Sequence, residues 1–374
     1  MNKNKKKYPH LQNEEERLRK ICMNRLTELY GELPDSAIVV RLDKELDTIN
    51  EAEMTGVFLI LWQLIIKSKL RSYEMVYDGC LGVSLVAYLI GLTEFDPLKT
   101  RVPFYPELLF GIHWDNLPVV ELRVPNGMAD ILYEKLQSIE GVGAVKHAYN
   151  EDGMQIKYGR MIIPDGIEPV RGELQKNSSP FYRILFVEDQ LLNILGKLAD
   201  ETGISPDTIR LDDPEVLTLY QMEHRLEGFK EITSFEDAVR VDALIHGTRV
   251  WEDNLEPMVQ EGIIDFSHII TSREEIYEYV QNELGLSKET AFTIMDSVGK
   301  GRGFPNQLMI REGKENSAEL LQDKEWFVRF CDQVIYMFPR VHCYGHVRLS
   351  WRLTWYYLHF FRQYYRATLK TWNC

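Results

Sequence analysis

Apolar residues at helical spacing mark the N-terminal part of the chain. Leu18, Cys22 and Leu26 follow one another at intervals of four, which predicts an amphipathic helix over residues 14–30. Gly31 marks the end of that helix, since glycine tolerates the left-handed backbone that often follows one. The same periodicity predicts helices over residues 36–51 and 57–70. The second of these is apolar on most sides, which is typical of a buried helix.

Residues 79–91 begin with glycines and continue as a small-residue apolar helix. The first turn of a helix attracts anions, because its N–H groups have no partner within the helix and its dipole is positive there. This segment therefore predicts a phosphate-binding turn, with Gly79, Gly82 and Ser84 as the candidate contacts.

The pattern changes between residues 101 and 187, where short β-branched runs replace the long periodic segments. These runs predict strands at residues 119–120, 142–145, 161–163 and 181–187. Helices are predicted between and after them, over residues 129–138 and 190–201. The central part of the chain is therefore expected to form a small sheet with few helices.

From residue 205 onward the chain is predicted to be helical again. Asp213-Pro214 is a helix start, because Asp caps the first turn and Pro is favoured at its first position. Further helices are predicted over residues 235–247, 272–284, 287–298, 318–331 and 343–369. Together these patterns predict an α+β protein with a flexible basic arm (1–13), a mixed domain (14–204) and a helical domain (205–374).

The charge of the chain limits its partners. The net charge is −14, whereas proteins that hold long stretches of duplex DNA usually carry a positive field. Extensive duplex binding is therefore disfavoured, although residues 333–374 contain six basic and no acidic residues. Five cysteines without a Cys-x-x-Cys pair predict reduced thiols in a cytoplasmic protein, and no apolar run is long enough to predict a membrane span.

Several motifs in a fixed order resemble those of the bacterial replicative polymerases of the C family. They include Arg41-Leu-Asp-Lys-Glu-Leu-Asp-Thr-Ile, Ser84-Leu-Val-Ala-Tyr-Leu-Ile-Gly, His246-Gly-Thr-Arg-Val-Trp, Thr271-Ser-Arg-Glu-Glu-Ile and Tyr336-Met-Phe-Pro-Arg-Val-His. The chain resembles the DNA polymerase III alpha subunits, and more closely the PolC type of low-GC Gram-positive bacteria. The resemblance implies a reduced palm over residues 14–204 and long helical fingers over residues 205–374, without the family's other domains.

The departures from the family pattern fall at its catalytic centre. The family's palm strand reads Pro-Asp-Ile-Asp-Leu, whereas this chain has Val119 and Glu121 at the two aspartate positions. The third family aspartate corresponds to Leu185. At the position of an arginine in the family's phosphate-binding loop, this chain has Asp78. The resemblance thus implies a dismantled metal site, with Glu121 as its last possible ligand and no cofactor expected beyond Mg²⁺ for residual activity.

Other residues are candidates for a rearranged metal site or for contacts with nucleotide or template. Asp115 and Asp189, next to the two strands, are the carboxylates available for a rearranged site. Basic positions of the fingers match residues that the resemblance places toward nucleotide or template: Arg273, Lys300, Arg302, Arg340 and His342. His342 and His346 are four residues apart with Cys343 between them, but a structural role is expected because zinc ligands usually come in tighter pairs.

The C-terminal segment interleaves arginines with aromatic residues, a combination that can bind single strands by stacking. A core helix whose arginines extend to solvent is the expected alternative. The sequence therefore favours a catalytically inactive polymerase homologue that binds a protein, a nucleotide or a short nucleic acid in DNA replication. The alternatives are a nucleotidyltransferase with rearranged carboxylates and a structural remnant with a protein partner.

Overall fold

The computed structural model describes residues 7–77, 79–100, 102–111, 119–149, 154–169, 171–174, 180–223, 232–305 and 324–372. Contacts divide the chain into two compact units. The first consists of the described parts of Met1–Phe110, Trp114–Asp207 and Arg362–Cys374. The second consists of the described parts of Gly111–His113 and Thr208–Phe361.

The first unit contains a helical N-terminal part and a sheet with flanking helices. Its helices are α1 (Glu14–Tyr30), α2 (Ser36–Glu51), α3 (Thr55–Ser68), α4 (Leu85–Leu89), α5 (Pro106–Phe110), α6 (Ala129–Gln137), α7 (Arg171–Leu174) and α8 (Gln190–Thr202). The predicted bounds of α1 and α2 agree with the structure. Asp35 caps α2 by accepting a hydrogen bond from Ala37 N, and Gly31 follows α1 with a φ of 90°.

The strands form one mixed sheet in the order β1-β2-β5-β4-β3. Their bounds are β1 (Val76–Tyr77), β2 (Val120–Val124), β3 (Val142–Tyr149), β4 (Gln155–Pro164) and β5 (Tyr182–Glu188). β2 and β5 are parallel, and the other neighbouring pairs are antiparallel. The predicted α+β class with a small mixed sheet is therefore confirmed.

Burial alternates along the two parallel strands. Val120, Leu122 and Val124 of β2 are buried, as are Ile184 and Phe186 of β5. Because successive side chains of a strand point to opposite faces, these residues form the core face of the sheet. The residues between them are only partly buried and lie on the other face.

The structure differs from the predicted flexible arm over residues 7–13, while residues 1–6 lie outside the described residues. Lys7 N donates to the Pro180 carbonyl at 2.9 Å. Tyr8 and Leu11 are buried. The arm prediction came from the lysines of the first residues, whereas these two apolar side chains order the part that follows.

In the segment 79–91, the apolar run that starts at Ser84 is helical, as predicted. A single 3₁₀ turn, Cys80–Val83, precedes α4. Ser84 lies between them with extended backbone (φ −80°, ψ 130°) and accepts a hydrogen bond from Ala87 N at 3.2 Å. The serine therefore acts as the N-cap of α4.

The second unit is helical, as predicted for residues 205–374. Its helices are α9 (Pro214–Glu223), α10 (Phe235–His246), α11 (Glu256–Gln260), α12 (Arg273–Asn282), α13 (Lys288–Gly299), α14 (Glu325–Gln333) and α15 (Arg340–His359). The first part of the helix predicted over residues 318–331 lies outside the described residues.

The long helix predicted over residues 343–369 is two helices. α15 ends at His359, and α16 (Phe361–Trp372) follows after Phe360, whose backbone (φ −137°, ψ 46°) is not helical. From Arg362 onward, α16 belongs to the first unit, where Ala367 is buried and Arg366 pairs with Glu201 at 3.1 Å. The uninterrupted aromatic pattern concealed this break, because neither proline nor glycine marks it.

No single helix in the described residues is long and apolar enough to cross a bilayer. α2 and α3 reach the required length and hydropathy only as a pair, and they are bent by 110° at their junction.

Candidate functional site

Three sequence-predicted ligand positions lie together on the sheet of the first unit. Glu121 of β2 is paired with Leu185 of β5 in the parallel register. Val119 precedes β2 and is two residues from Glu121, so an extended chain places both on the same face. The structure therefore brings positions 119, 121 and 185 to the partly buried face of the sheet.

Two arginines share this face. Arg123 follows Glu121 by two residues on β2, and Arg183 precedes Leu185 by two residues on β5. Burial lowers the pKa of the Arg183 guanidinium from its ordinary value, although arginine stays charged at any physiological pH. Of the three positions on this face where the resembled family has aspartates, only position 121 therefore carries a carboxylate, and two arginines lie on the same face.

Asp189, a candidate for a rearranged metal site, has two structural bonds. Its Oδ1 accepts a hydrogen bond from Leu191 N at 2.9 Å, which caps α8. Its Oδ2 accepts one from Arg123 Nη1 at 3.2 Å. Both carboxylate oxygens are therefore used to fix α8 to β2. Asp115, the other candidate, lies outside the described residues.

The predicted phosphate-binding turn contains an anion from the chain itself. Glu45 of α2 is fully buried, and its Oε2 accepts hydrogen bonds from Ser84 Oγ at 2.7 Å and Val86 N at 3.1 Å. A carboxylate therefore already occupies the positive N-terminus of α4. Ser84 is fully buried as well, so its role as a phosphate contact stays a prediction that the geometry does not favour.

Arg41 completes this buried network. Its Nε donates to Glu45 Oε1 at 2.6 Å, and its two Nη atoms donate to the carbonyls of Val102 and Val83 at 2.7 and 3.1 Å. The spacing of Arg41 and Glu45 by four residues on one helix was a visible signal for this pair. Sequence reasoning missed Glu45, because the segment 41–49 was interpreted only as part of a motif.

The two other phosphate-loop candidates are glycines close to Tyr77. A Cβ atom at Gly79 would lie 2.2 Å from Tyr77 Oη, so any larger residue would displace the ring. The same hydroxyl accepts a hydrogen bond from Leu81 N at 3.1 Å. Gly82 N donates to the Gly79 carbonyl at 3.2 Å. These glycines shape a compact turn, and Asp78 between them and β1 lies outside the described residues.

Most of the candidate basic residues of the fingers have partners within the second unit. Arg273 donates from Nε to the Met337 carbonyl and from Nη2 to the Gly299 carbonyl at 3.1 Å. Its guanidinium also lies 4.8 Å from the Tyr336 ring centre. Arg273 therefore joins the start of α12 to the end of α13 and to the segment before α15.

Lys300 and His342 also have neighbours that hold them. Lys300 Nζ pairs with Asp296 at 2.5 Å, and the His342 ring stacks on Phe338 with centroids 4.3 Å apart. Arg302 and Lys300 are the two of the five predicted fingers contacts that are exposed, and Lys300 is held by Asp296.

Arg340 lies among carboxylates. It lines a cavity of about 410 Å³ together with Arg240, Glu275, Glu278 and Glu283. Burial raises the pKa of Glu278, the neighbouring Glu275 raises it further, and Arg340 opposes both. A phosphate in this cavity would face acidic side chains as well as Arg340, so the cavity is not a simple anion site.

The C-terminal aromatic residues divide between the core and the surface. Trp351 and Tyr356 are fully buried, and the Trp351 indole donates to the Arg210 carbonyl at 3.0 Å. Arg352 is buried, too. Some aromatic residues nevertheless remain exposed, at intervals of four in the sequence: Tyr357, Phe361 and Tyr365.

A cluster of a different kind joins α10 and α15. Asp242 and His246 lie four residues apart on α10, and their side chains meet that of His346 on α15. The sequence showed the spacing of His342 and His346, but it could not show which helix packs against them.

Comparisons with known proteins place these observations in a family context. The family model described as the bacterial DNA polymerase III alpha NTPase domain matches residues 16–109. DNA polymerase III PolC-type of Thermotoga maritima is 23% identical over 486 residues, covering 96% of this chain and 35% of the relative. The PolC-type enzymes of Pediococcus pentosaceus and Clostridium perfringens are 24% and 23% identical, with 33% of each relative covered.

These matches show that the chain is similar to the bacterial DNA polymerase III alpha subunits. More particularly, the chain is similar to the PolC type over nearly its whole length, as its motifs predicted. It spans about a third of the length of the curated relatives it matches. The alignment with the Thermotoga maritima protein extends over 486 residues, whereas this chain has 374. The relative therefore contains segments in this region that have no counterpart in this chain.

Proposed function

We propose that this chain is a non-catalytic homologue of the PolC-type polymerase that acts in DNA replication by binding a protein partner. The observation that carries the first half of the proposal is the pairing of Glu121 with Leu185. It puts a hydrocarbon side chain beside the one remaining carboxylate at the place where a metal pair would have to be held.

The chemistry of phosphoryl transfer supports the loss of catalysis. Two divalent ions about 4 Å apart must be anchored by several oxygen ligands, and Mg²⁺ requires nearly octahedral oxygen coordination. Val119 and Leu185 offer no oxygen, and Arg183 on the same face adds a positive charge, whereas Arg123 is paired with Asp189. A magnesium pair therefore does not fit these residues, and we expect no tightly held Mg²⁺ at Glu121.

Nucleotide binding is less favoured than binding of a protein partner. Glu45 occupies the helix terminus that would receive a phosphate, and Arg273 and Lys300 are bonded to groups of the second unit. Binding a triphosphate would require these contacts to be broken. A protein partner requires no such change, and exposed aromatic residues such as Tyr357 and Phe361 provide apolar contact area.

The alternative is a nucleotidyltransferase with rearranged carboxylates, and primer extension decides between the two. The wild-type chain and Glu121→Ala are purified in the same way and assayed on a primer–template with Mg²⁺ and with Mn²⁺. We expect no extension above background, and the same background in both preparations, because Glu121 alone cannot anchor two ions. The variant thus serves as the control for contaminating host polymerase.

A ladder of extension products from the wild-type protein that disappears in Glu121→Ala would contradict the proposal. Such a result would mean that Glu121 and other acidic residues converge on a working metal site. Extension that is equal in both preparations would instead come from the expression host and would leave the chain without polymerase activity of its own.

A further inference from the structure

Four polar residues meet where α10 and α15 pack against each other in the second unit. Asp242 and His246 are one helical turn apart on α10, and His342 and His346 are one turn apart on α15. Side chains four residues apart lie on the same face of a helix. The two helices therefore present two such pairs to each other, although the motifs that suggested a polymerase did not include Asp242 or His346.

Three of these residues are close enough to share one ion. His346 Nδ1 lies 2.8 Å from Asp242 Oδ1, and the rings of His246 and His346 have centroids 4.6 Å apart. The ligand atoms of Asp242, His246 and His346 all lie within 4.8 Å of one another. His342 is farther from His246, with ring centroids 5.9 Å apart, and stacks on Phe338.

The carboxylate of Asp242 supplies an independent observation. Asp242 is only 8% exposed, and its Oδ2 is buried without a hydrogen bond of good geometry from the described residues, although the Cys343 thiol lies next to the carboxylate. A buried acceptor without a partner costs free energy, and each such group in a folded protein requires an explanation. A cation next to the two imidazoles would satisfy that oxygen.

The burial of the three residues suits a site with access from one side. Asp242 is buried, His346 is partly buried and His246 is exposed. An ion could therefore enter past His246 and reach the carboxylate. Two imidazole nitrogens and one carboxylate oxygen leave room for water or another ligand, as in open three-ligand zinc sites.

We propose that Asp242, His246 and His346 bind one divalent transition-metal ion of the zinc class. Imidazole nitrogen favours zinc, cobalt, nickel and copper, whereas magnesium and calcium favour sets of oxygen ligands. Zinc–nitrogen bonds of about 2.0–2.1 Å require the ligand atoms to come within roughly 3.4 Å of one another. Changes in the side-chain torsions of these three residues can bring the ligand atoms that close while the helices stay in place. The bound ion would then link α10 to α15.

Metal titration of the untagged full-length chain tests the proposal. After dialysis against a chelator, the protein is titrated with Zn²⁺ by calorimetry and with Co²⁺ by visible absorption. We expect one ion per chain, a cobalt spectrum typical of nitrogen and oxygen ligands, and a rise in the melting temperature with Zn²⁺ but not with Mg²⁺. Binding stabilises the folded state because the unfolded chain lacks the site.

Variants assign the site to these residues. His246→Gln and Asp242→Asn should each weaken zinc binding at least tenfold. His246 is exposed, so its variant still tests the assignment even if Asp242→Asn lowers stability. The matched control is His359→Gln, since His359 pairs with Asp213 at 3.3 Å without a third candidate ligand in the described residues. This control should bind zinc as the wild type does.

Two results would overturn the assignment. The first is the absence of saturable one-to-one binding of Zn²⁺ or Co²⁺ to the wild-type chain. The second is binding that His246→Gln and Asp242→Asn leave unchanged. Neither result depends on polymerase activity or on a protein partner, so the metal site and the proposed function are tested separately.

Discussion

Single residues decide the chemistry of the first unit. The backbone pairing of β2 and β5 places positions 121 and 185 side by side, but Leu185 cannot coordinate an ion. Glu45 is a second example, because its carboxylate fills the helix terminus that the sequence offered to a phosphate. In both places the side chains differ from those that a metal pair or a bound phosphate would require.

Glu45→Ala is expected to lower the free energy of unfolding of the chain by about 3–5 kcal/mol, which is typical of breaking a buried ion pair. The change leaves Arg41, whose side chain is only 14% exposed, without its carboxylate, and it removes the acceptor for Ser84 and Val86 N. Urea denaturation followed by circular dichroism measures the difference.

Asp43→Ala on the same helix is the matched control for this prediction. Asp43 pairs with Arg19, but both side chains are close to half exposed, so the loss should be below ~1 kcal/mol. Equal losses from the two variants would show that the buried network of Glu45 contributes no more than a surface pair.

At the scale of elements, local signals predicted the structure well where they were strong. α1 and α2 have clear apolar stripes and clear ends, and the structure has them at the predicted bounds. The strands that carry positions 121 and 185 were also expected from their β-branched and apolar runs. The prediction was wrong at Phe360, where a single non-helical residue interrupts an otherwise continuous pattern.

The sites were harder to predict than the elements, for a physical reason. Glu45 and Ser84 are 39 positions apart in the chain, and Asp242 and His346 are 104 apart. Spacing on one helix shows which residues share a face, but it does not show which other element packs against that face. The sequence could therefore identify missing carboxylates, but not the internal partners of the groups that remained.

Variants of Asp189 test how much this one side chain contributes to stability by joining α8 to β2. Asp189→Ala removes both the cap of α8 and the ion pair with Arg123, so we expect a loss of ~2 kcal/mol in the free energy of unfolding. Asp189→Asn keeps an oxygen that can cap the helix, because asparagine is as good an N-cap as aspartate. Its loss should be below ~1 kcal/mol.

Guanidinium or urea denaturation compares the two variants with the wild type. If Asp189→Asn is as destabilising as Asp189→Ala, the ion pair with Arg123 rather than the cap carries the stabilisation. That outcome would contradict the expectation that the cap of α8 supplies most of the stabilisation.

At the scale of the whole molecule, the net charge and the share of the PolC-type relatives that the chain matches both limit the partners it is expected to bind. The net charge is −14, and several basic residues of the C-terminal segment have partners, such as Arg340 among its carboxylates and Arg366 with Glu201. The chain covers about a third of its PolC-type relatives. We therefore expect a partner to bind through local surfaces of this chain rather than through a continuous positive field.

Binding to a labelled primer–template, measured by fluorescence anisotropy, tests this conclusion. Non-specific DNA binding typically has dissociation constants of about 10⁻⁴ to 10⁻⁶ M at physiological salt, because phosphates are neutralised by many basic side chains. We expect this chain to bind more weakly than about 10⁻⁴ M under those conditions, since its field is negative and Arg273 and Lys300 are bonded internally.

Arg302→Glu provides the control for a local positive patch, because Arg302 is one of the two exposed fingers candidates and the other, Lys300, is paired with Asp296. It should leave the weak binding unchanged. Micromolar binding that falls steeply with salt and weakens further in Arg302→Glu would mean that the fingers still contact phosphates. In that case nucleic acid would replace a protein as the proposed partner, because a local patch would then outweigh the repulsion from the rest of the molecule.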